Sequence, residues 1–105
     1  NKDLTYPTED KELPGNGAVV KIIEEGIKSI VKSFGKPDYF YTQYFADCKI
    51  KVDYVVGDRV DTDINFAKKI NAKSILVTSG VSNFLSEDTA DIKLNSFSEI
   101  IPFII

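Results

Sequence analysis

The chain has 105 residues, 13 of them Lys or Arg and 16 Asp or Glu, and its net charge of −3 without any basic run argues against nucleic acid or an anionic membrane as partner. Leu, Ile, Val and Phe make up about a third of it, enough for the core of one small domain but not two, and no apolar stretch approaches the ~20 residues of a membrane span. The absence of histidine excludes His-ligated zinc, Ser-His-Asp triads and Cys-His dyads, and the single Cys48 suits a reducing compartment such as the cytoplasm.

Residues 1–17 are rich in Pro, Gly, Asp, Glu and Thr, carry no signal-peptide pattern, and read as an extended loop or linker. From Ala18 the positions Val19, Val20, Ile22, Ile23 and Ile27 fall on one face of a helix that Gly26 is expected to close. Ile30–Phe34 is a short β-branched and aromatic run, read as a strand and stopped by Gly35-Lys36-Pro37. Pro37 suits the first turn of a helix over Asp38 to about Phe45, where its missing N–H is not needed. Val52–Val56, ended by Gly57-Asp58, is continuously apolar, as expected of a central parallel strand covered on both faces. A helix from about Asp61 carries Ile64, Ala67 and Ile70 on one stripe. Ser74–Thr78 repeats the buried-strand pattern, 82–89 reads as a polar loop, Ile92–Leu94 as a short last strand, and Phe97–Ile104 as a terminal helix. Strands and helices alternating at this spacing predict right-handed βαβ units and a parallel sheet.

The strongest local feature is Val55-Val56-Gly57-Asp58-Arg59-Val60-Asp61-Thr62-Asp63-Ile64. In an open α/β sheet, ligands bind beyond the carboxyl ends of the strands. Gly57 lets the backbone turn there, so Asp58 is expected to project into that crevice, and Asp63, one turn on, can face the same space. Carboxylates so placed suit Mg²⁺, which takes a few hard oxygen ligands and keeps water or phosphate oxygens for the rest. Plainer roles stand beside these: Asp61 can cap the helix, Asp63 can complement its dipole, and Gly-Asp is a common turn pair. Lys36, closing one strand at the mouth of a helix, can hold an anion, though taken alone a solvated loop lysine is the better explanation. Gly15-Asn16-Gly17 follows no strand and lacks the third glycine of a dinucleotide fingerprint. The aromatics Tyr39, Phe40, Tyr41, Tyr44 and Phe45 read as helix packing, and Cys48 as a small buried or half-buried residue.

Gly35-Lys36-Pro37, Val56 to Ile64 and Ile75-Leu76-Val77-Thr78-Ser79-Gly80-Val81 together resemble the C-terminal part of haloacid dehalogenase (HAD) superfamily phosphatases, in the branch of p-nitrophenyl and phosphoglycolate phosphatases. Asn1-x-Asp3 followed by Pro14-Gly15-x-Gly17-Ala18 resembles that branch's return from its cap domain. The resemblance implies a three-layer α/β/α Rossmann-like core, with residues 1–17 as the linker from a cap absent here and 18–105 as the C-terminal half of the core. It also implies hydrolysis of small phosphomonoesters through an aspartyl-phosphate. Carried over residue by residue, Asp58 becomes the Mg²⁺ ligand, and Asp63 its acidic partner, orienting water or the loop. Lys36 becomes the lysine that neutralises nucleophile and phosphoryl group, while Arg59 and Thr62 hold the loop.

This sequence departs from the family in lacking an Asp-x-Asp after an apolar strand; its only Asp-x-Asp, Asp61-Thr62-Asp63, belongs to the later motif. With no methionine in the chain either, the expectation is a piece of a larger protein, inactive alone, its nucleophile upstream of Asn1. Such a piece exposes a sheet edge and an apolar face, to be covered by the missing half of the core or by self-association. The alternatives are a catalytically dead HAD-like interaction domain and, ranked lower, a receiver-like switch domain, for which no acidic pair closes an earlier strand.

Overall fold

The computed structural model describes residues 1–80 and 90–105. The opening segment is not a plain loop. Its strands β1 (Thr5–Pro7) and β2 (Glu12–Pro14) pair antiparallel, with Tyr6 opposite Leu13. Thr8 closes the connection, its Oγ and its N–H both donating to the Lys11 carbonyl at 2.6 and 2.9 Å. The strands are three residues each and end on prolines, so they carry no alternation that a sequence pattern can register.

Helix α1 (Asn16–Ile27) forms where the apolar period placed it, but Gly26 lies inside it. The end is made by Lys28, which takes the left-handed conformation (φ 52°) and donates its N–H to the Glu24 carbonyl. The stripe of Val19, Ile22, Ile23 and Ile27 is exposed, Ile22 by 74%. The run Ile30–Phe34 is not a strand. Its Val31 N–H is taken by the Glu24 carboxylate at 2.9 Å, so a side chain supplies what a neighbouring strand would have offered. Glu24 also accepts from Lys2 at 2.7 Å, and this Lys2 bond, reinforced by the Val31 N–H, lowers its pKa.

Helix α2 (Tyr39–Asp47) follows Asp38 as its N-cap, with Pro37 just outside its first turn. Tyr41 and Phe45 pack on Phe66 with ring centroids 5.0 and 5.3 Å apart, whereas Tyr39 and Tyr44 stay exposed. Cys48, expected to be at least half covered, is exposed at the C-cap of the helix, one position past its last residue.

The second sheet is parallel, β3 (Tyr54–Gly57), β4 (Lys73–Val77) and β5 (Ile92–Leu94), in the order β3-β4-β5. Val55 faces Ser74, Gly57 faces Leu76, and Ile75 faces Ile92. The central strand is therefore β4, whose Ser74, Ile75 and Leu76 are fully buried, and not the run ending at Gly57. Among the described residues β3 is an edge strand and only half-buried. A π-helical turn (Val60–Ile64) and α3 (Asn65–Lys69) connect β3 to β4 and pack on both, burying Ile64, Phe66 and Ala67. Asp91 clamps the entry to β5: its Oδ2 accepts from the Ser74 N–H and hydroxyl at 2.8 and 2.7 Å, and its own N–H donates to Ser74 Oγ at 3.0 Å. A 3₁₀ turn (Phe97–Ile100) and α4 (Ile101–Ile104) end the chain's order, with Ile100 buried. The polar loop expected over 82–89, with Val81 before it, lies outside the described residues. No helix among the described residues is long and apolar enough to cross a membrane.

Candidate functional site

The carboxyl end of β3 gathers the charged residues that the sequence singled out. Residue 57 is a glycine for reasons of space. No described glycine has a positive φ; instead, a Cβ at Gly57 would coincide with the side chain of Asp63. The expected sharp turn at Gly57 is therefore corrected to a close approach, in which the Asp63 carboxylate lies over the strand's last residue. That carboxylate is buried, 6% exposed, and both its oxygens are used. Oδ1 accepts from Lys36 Nζ at 2.6 Å and Oδ2 from the Arg59 N–H at 3.3 Å. The bond to Lys36 brings the Gly35-Lys36-Pro37 loop to the end of the sheet although no strand leads into it.

Asp58 takes a different direction. A Cβ at Gly80, beyond the end of β4, would overlap the Asp58 side chain, so Asp58 lies across the gap between the ends of β3 and β4. Asp58 and Asp63 thus flank the same turn but face different neighbours, Gly80 and Lys36.

Arg59 holds the turn. Its carbonyl accepts from the N–H groups of Asp63 and Ile64 at 3.0 and 3.2 Å, the spacing of a π turn. Its guanidinium forks onto Asp61, Nε to Oδ1 at 3.0 Å and Nη2 to Oδ2 at 2.6 Å, and reaches Asp3 at 3.4 Å. The paired carboxylate raises the Arg59 pKa further, and the guanidinium holds Asp61 below the ordinary carboxylate range. Asp61 is thereby a partner of Arg59 and not the cap of the helix, since no side chain caps this turn.

A cavity of about 380 Å³ opens here, walled by Asn1, Asp3, Lys36, Tyr41, Arg59 and Asp63. A wider one of about 560 Å³ lies at the other end of β3 and β4, beside Lys51, Asp53, Lys73 and Phe103, away from Lys36 and Asp58. Among the described residues no group of three or more His, Cys, Asp or Glu could share a metal ion.

Residues 33–99 match the family model described as HAD-hydrolase-like. The chain belongs to the HAD hydrolase family. It is 41% identical over 86 residues to a 4-nitrophenylphosphatase of Schizosaccharomyces pombe, covering 78% of this chain and 29% of that one. A hypothetical protein of Pyrococcus horikoshii superposes on the whole of this chain, and on 42% of its own, with a TM-score of 0.84 and 33% identity. The glycerol phosphate phosphatase of Mycobacterium tuberculosis, solved in complex with magnesium, matches 90% of this chain and 31% of its own with a TM-score of 0.69 and 31% identity. The chain spans about a quarter to a third of the length of the curated relatives it matches.

In this HAD chain, then, Lys36 and Asp63 are in direct contact and Asp58 lies at the same end of β3. Two wall residues are not singled out as site residues by the sequence: Asp3, visible only through Asn1-x-Asp3, and Tyr41, one aromatic among five on its helix. Outside the wall, Gly80, read only as part of the motif that closes a buried strand, lies against Asp58. Lys69 ties the loop from behind by donating to the Pro37 carbonyl at 2.7 Å.

Proposed function

We propose that the chain is the C-terminal part of the core of a cytoplasmic HAD phosphatase. The intact protein hydrolyses small phosphomonoesters through an aspartyl-phosphate, with Mg²⁺ held in part by Asp58. The observation that carries this reading is the Lys36–Asp63 pair at 2.6 Å beside Asp58 at the carboxyl end of β3. Relatives named as phosphatases over the same residues support it.

The Lys36 ammonium is tethered through one carboxylate, and its side chain is 42% exposed, so it can also meet a phosphate oxygen. Asp63 fixes where that charge stands, and Arg59 fixes Asp63. Asp58 supplies a single carboxylate, which fits an ion that takes one or two from the protein and fills its shell with water and phosphate. When bound, the metal would offset the charge of the phosphoryl oxygens. The nucleophile is assigned upstream of Asn1, because both acids of the chain's one Asp-x-Asp are committed, Asp61 to Arg59 and Asp63 to Lys36. The half-buried β3 edge and the exposed stripe of α1 support the companion reading that the rest of the core, or a second copy, covers them.

Phosphate release from 4-nitrophenyl phosphate by the full-length gene product, with Mg²⁺ and with EDTA, tests the reading. Release with Mg²⁺, none with EDTA and none from residues 1–105 alone is expected. An inert full-length protein overturns the phosphatase assignment, and turnover by the segment alone overturns the placement of the nucleophile. Sedimentation of the segment as a well-folded strict monomer counts against the covered face.

A further inference from the structure

Residues 1–3 carry no secondary structure, yet each is tied to a different part of the molecule. The Asn1 carbonyl accepts from Asn16 Nδ2 at 2.7 Å. Asn1 also packs on Gly35, where a Cβ would stand 3.3 Å from the Asn1 Cα and Cβ. Lys2 reaches α1, its ammonium 2.7 Å from the Glu24 carboxylate. The Asp3 carbonyl accepts from the Gly17 N–H and the Leu4 carbonyl from the Gly15 N–H, both at 2.8 Å. Gly15 and Gly17 leave no room for a Cβ against the Asp3 and Lys2 carbonyls, so the segment lies directly on the start of α1. The backbone of Asp3 is thereby fixed, which gives its side chain a defined place from which to act.

From that place the Asp3 carboxylate reaches the Arg59 guanidinium, Oδ2 to Nη1 at 3.4 Å, with both side chains 30% exposed. Arg59 uses its other edge, Nε and Nη2, on Asp61. The two contacts act differently. Asp61 is two residues from Arg59 in the same turn and 63% exposed, so that fork moves with the turn and cannot fix it against the rest of the fold. Asp3 belongs to another segment and lines the cavity with Arg59, Lys36 and Asp63, where Asp61 does not. A part-exposed ion pair of this kind contributes little to stability. It can still decide position, because the Arg59 backbone bonds both the N–H and the carboxylate of Asp63, and Asp63 holds the Lys36 ammonium at 2.6 Å.

We propose that Asp3 is a positioning residue of the site: its carboxylate anchors the Arg59 guanidinium to the start of α1 and, through Asp63, sets where the Lys36 ammonium stands. Residues 1–3 are then part of the site and not a passive linker. The role assigned to Lys36 rests on the phosphatase reading above. Asp3 acts through Arg59 and Asp63, and no step of phosphoryl transfer runs through it.

The test uses the full-length gene product with Asp3→Asn, which keeps the shape and loses the charge, and with Asp3→Glu, which keeps the charge. Asp3→Asn should lower kcat for 4-nitrophenyl phosphate about tenfold, with KM within about twofold and a nearly unchanged thermal midpoint. Asp3→Glu should recover most of that loss. Lys2→Ala is the control: it cuts the neighbouring tie to Glu24 and should stay near the unaltered kcat. A kcat for Asp3→Asn within about twofold of the unaltered value overturns the proposal. An equal loss in Asp3→Glu or Lys2→Ala overturns it too, since the segment would then only need to be docked. A second measurement is independent of turnover. The Lys36 Nζ signal, followed by heteronuclear NMR, should shift in Asp3→Asn and stay in place in Lys2→Ala, and an unmoved signal in Asp3→Asn overturns the proposal. A signal that shifts in a protein without phosphatase activity keeps the linkage from Asp3 to Lys36 and removes the phosphatase reading instead.

Discussion

The Lys36 ammonium lies 2.6 Å from the Asp63 carboxylate across 27 residues of sequence. The contact joins a loop that no strand supports to a turn built on a strand end. Its geometry depends on a third residue, Gly57, whose missing side chain leaves the space that Asp63 fills. The position of the cationic side chain that the proposed chemistry needs is thus set by a carboxylate, an absent methyl group and the Arg59 N–H.

Asp63→Asn should release Lys36 while leaving the fold intact. The amide keeps the volume and can still accept from the Arg59 N–H, but it no longer balances the ammonium. The expected loss is about 1–2 kcal/mol in urea denaturation, less than for a fully buried pair because the Lys36 side chain is 42% exposed. The order of the Lys36 Nζ group, followed by heteronuclear NMR, should drop at the same time. Unchanged stability together with an unchanged Lys36 signal would show that Asp63 does not hold it.

Gly57→Ala asks the same question from the other side. The new methyl group has no room unless Asp63 moves, and overpacking of this kind costs about 1–3 kcal/mol. The cost should shrink when Asp63 is first cut back to Gly, because the Cβ and carboxylate atoms in the way are then gone. A double-mutant cycle with zero coupling between positions 57 and 63 contradicts the close approach.

Much of this was legible in the sequence, and what was not has physical reasons. The run into Gly57-Asp58, the Ser74–Thr78 strand and the Ile64–Ala67 stripe could be read because burial imposes a pattern on consecutive residues. Position within the sheet could not: a continuous apolar run looks the same at the centre and at an edge whose neighbour is not among the described residues. Ile30–Phe34 has strand composition, but the ladder it would need is replaced by the Glu24 carboxylate, a contact seven residues away that propensity cannot show. The motifs alone single out Lys36, Asp58 and Asp63, and the fold brings all three to the carboxyl end of β3. That Asp58 turns to Gly80 while Asp63 turns to Lys36 was not legible, because both contacts are made between separate elements.

Stability should depend on pH through Asp91. The Ser74 N–H, with the Ser74 hydroxyl second, lowers the Asp91 pKa from 3.8. A carboxylate depressed in the folded state contributes stability that is fully present above that ordinary value. The contribution is lost as pH falls through the lower folded value. Asp91→Asn removes the charge and keeps the shape, so its midpoint in thermal melts should lie below the unaltered protein's at neutral pH. The gap should close as the pH is taken below 3.8. A gap of constant size from pH 7 down to the acid limit would mean that the carboxylate charge is not what clamps Ser74.

Asp58→Asn in the full-length gene product separates metal binding from folding. The side chain packs against Gly80, where no Cβ fits, and the isosteric amide respects that contact. Thermal stability without metal should therefore change little. Mg²⁺-dependent phosphate release should fall by about 10²-fold or more, because a carboxylate is a far better ligand than an amide for a hard cation. Raising Mg²⁺ should recover part of the loss if Asp58 acts through metal affinity, and Gly80→Ala, which pushes Asp58 aside without removing its charge, should reproduce the defect in milder form. Near-full activity of Asp58→Asn at low Mg²⁺ would remove Asp58 from the metal site and leave Lys36 and Asp63 as an ion pair without a catalytic partner in this part of the chain.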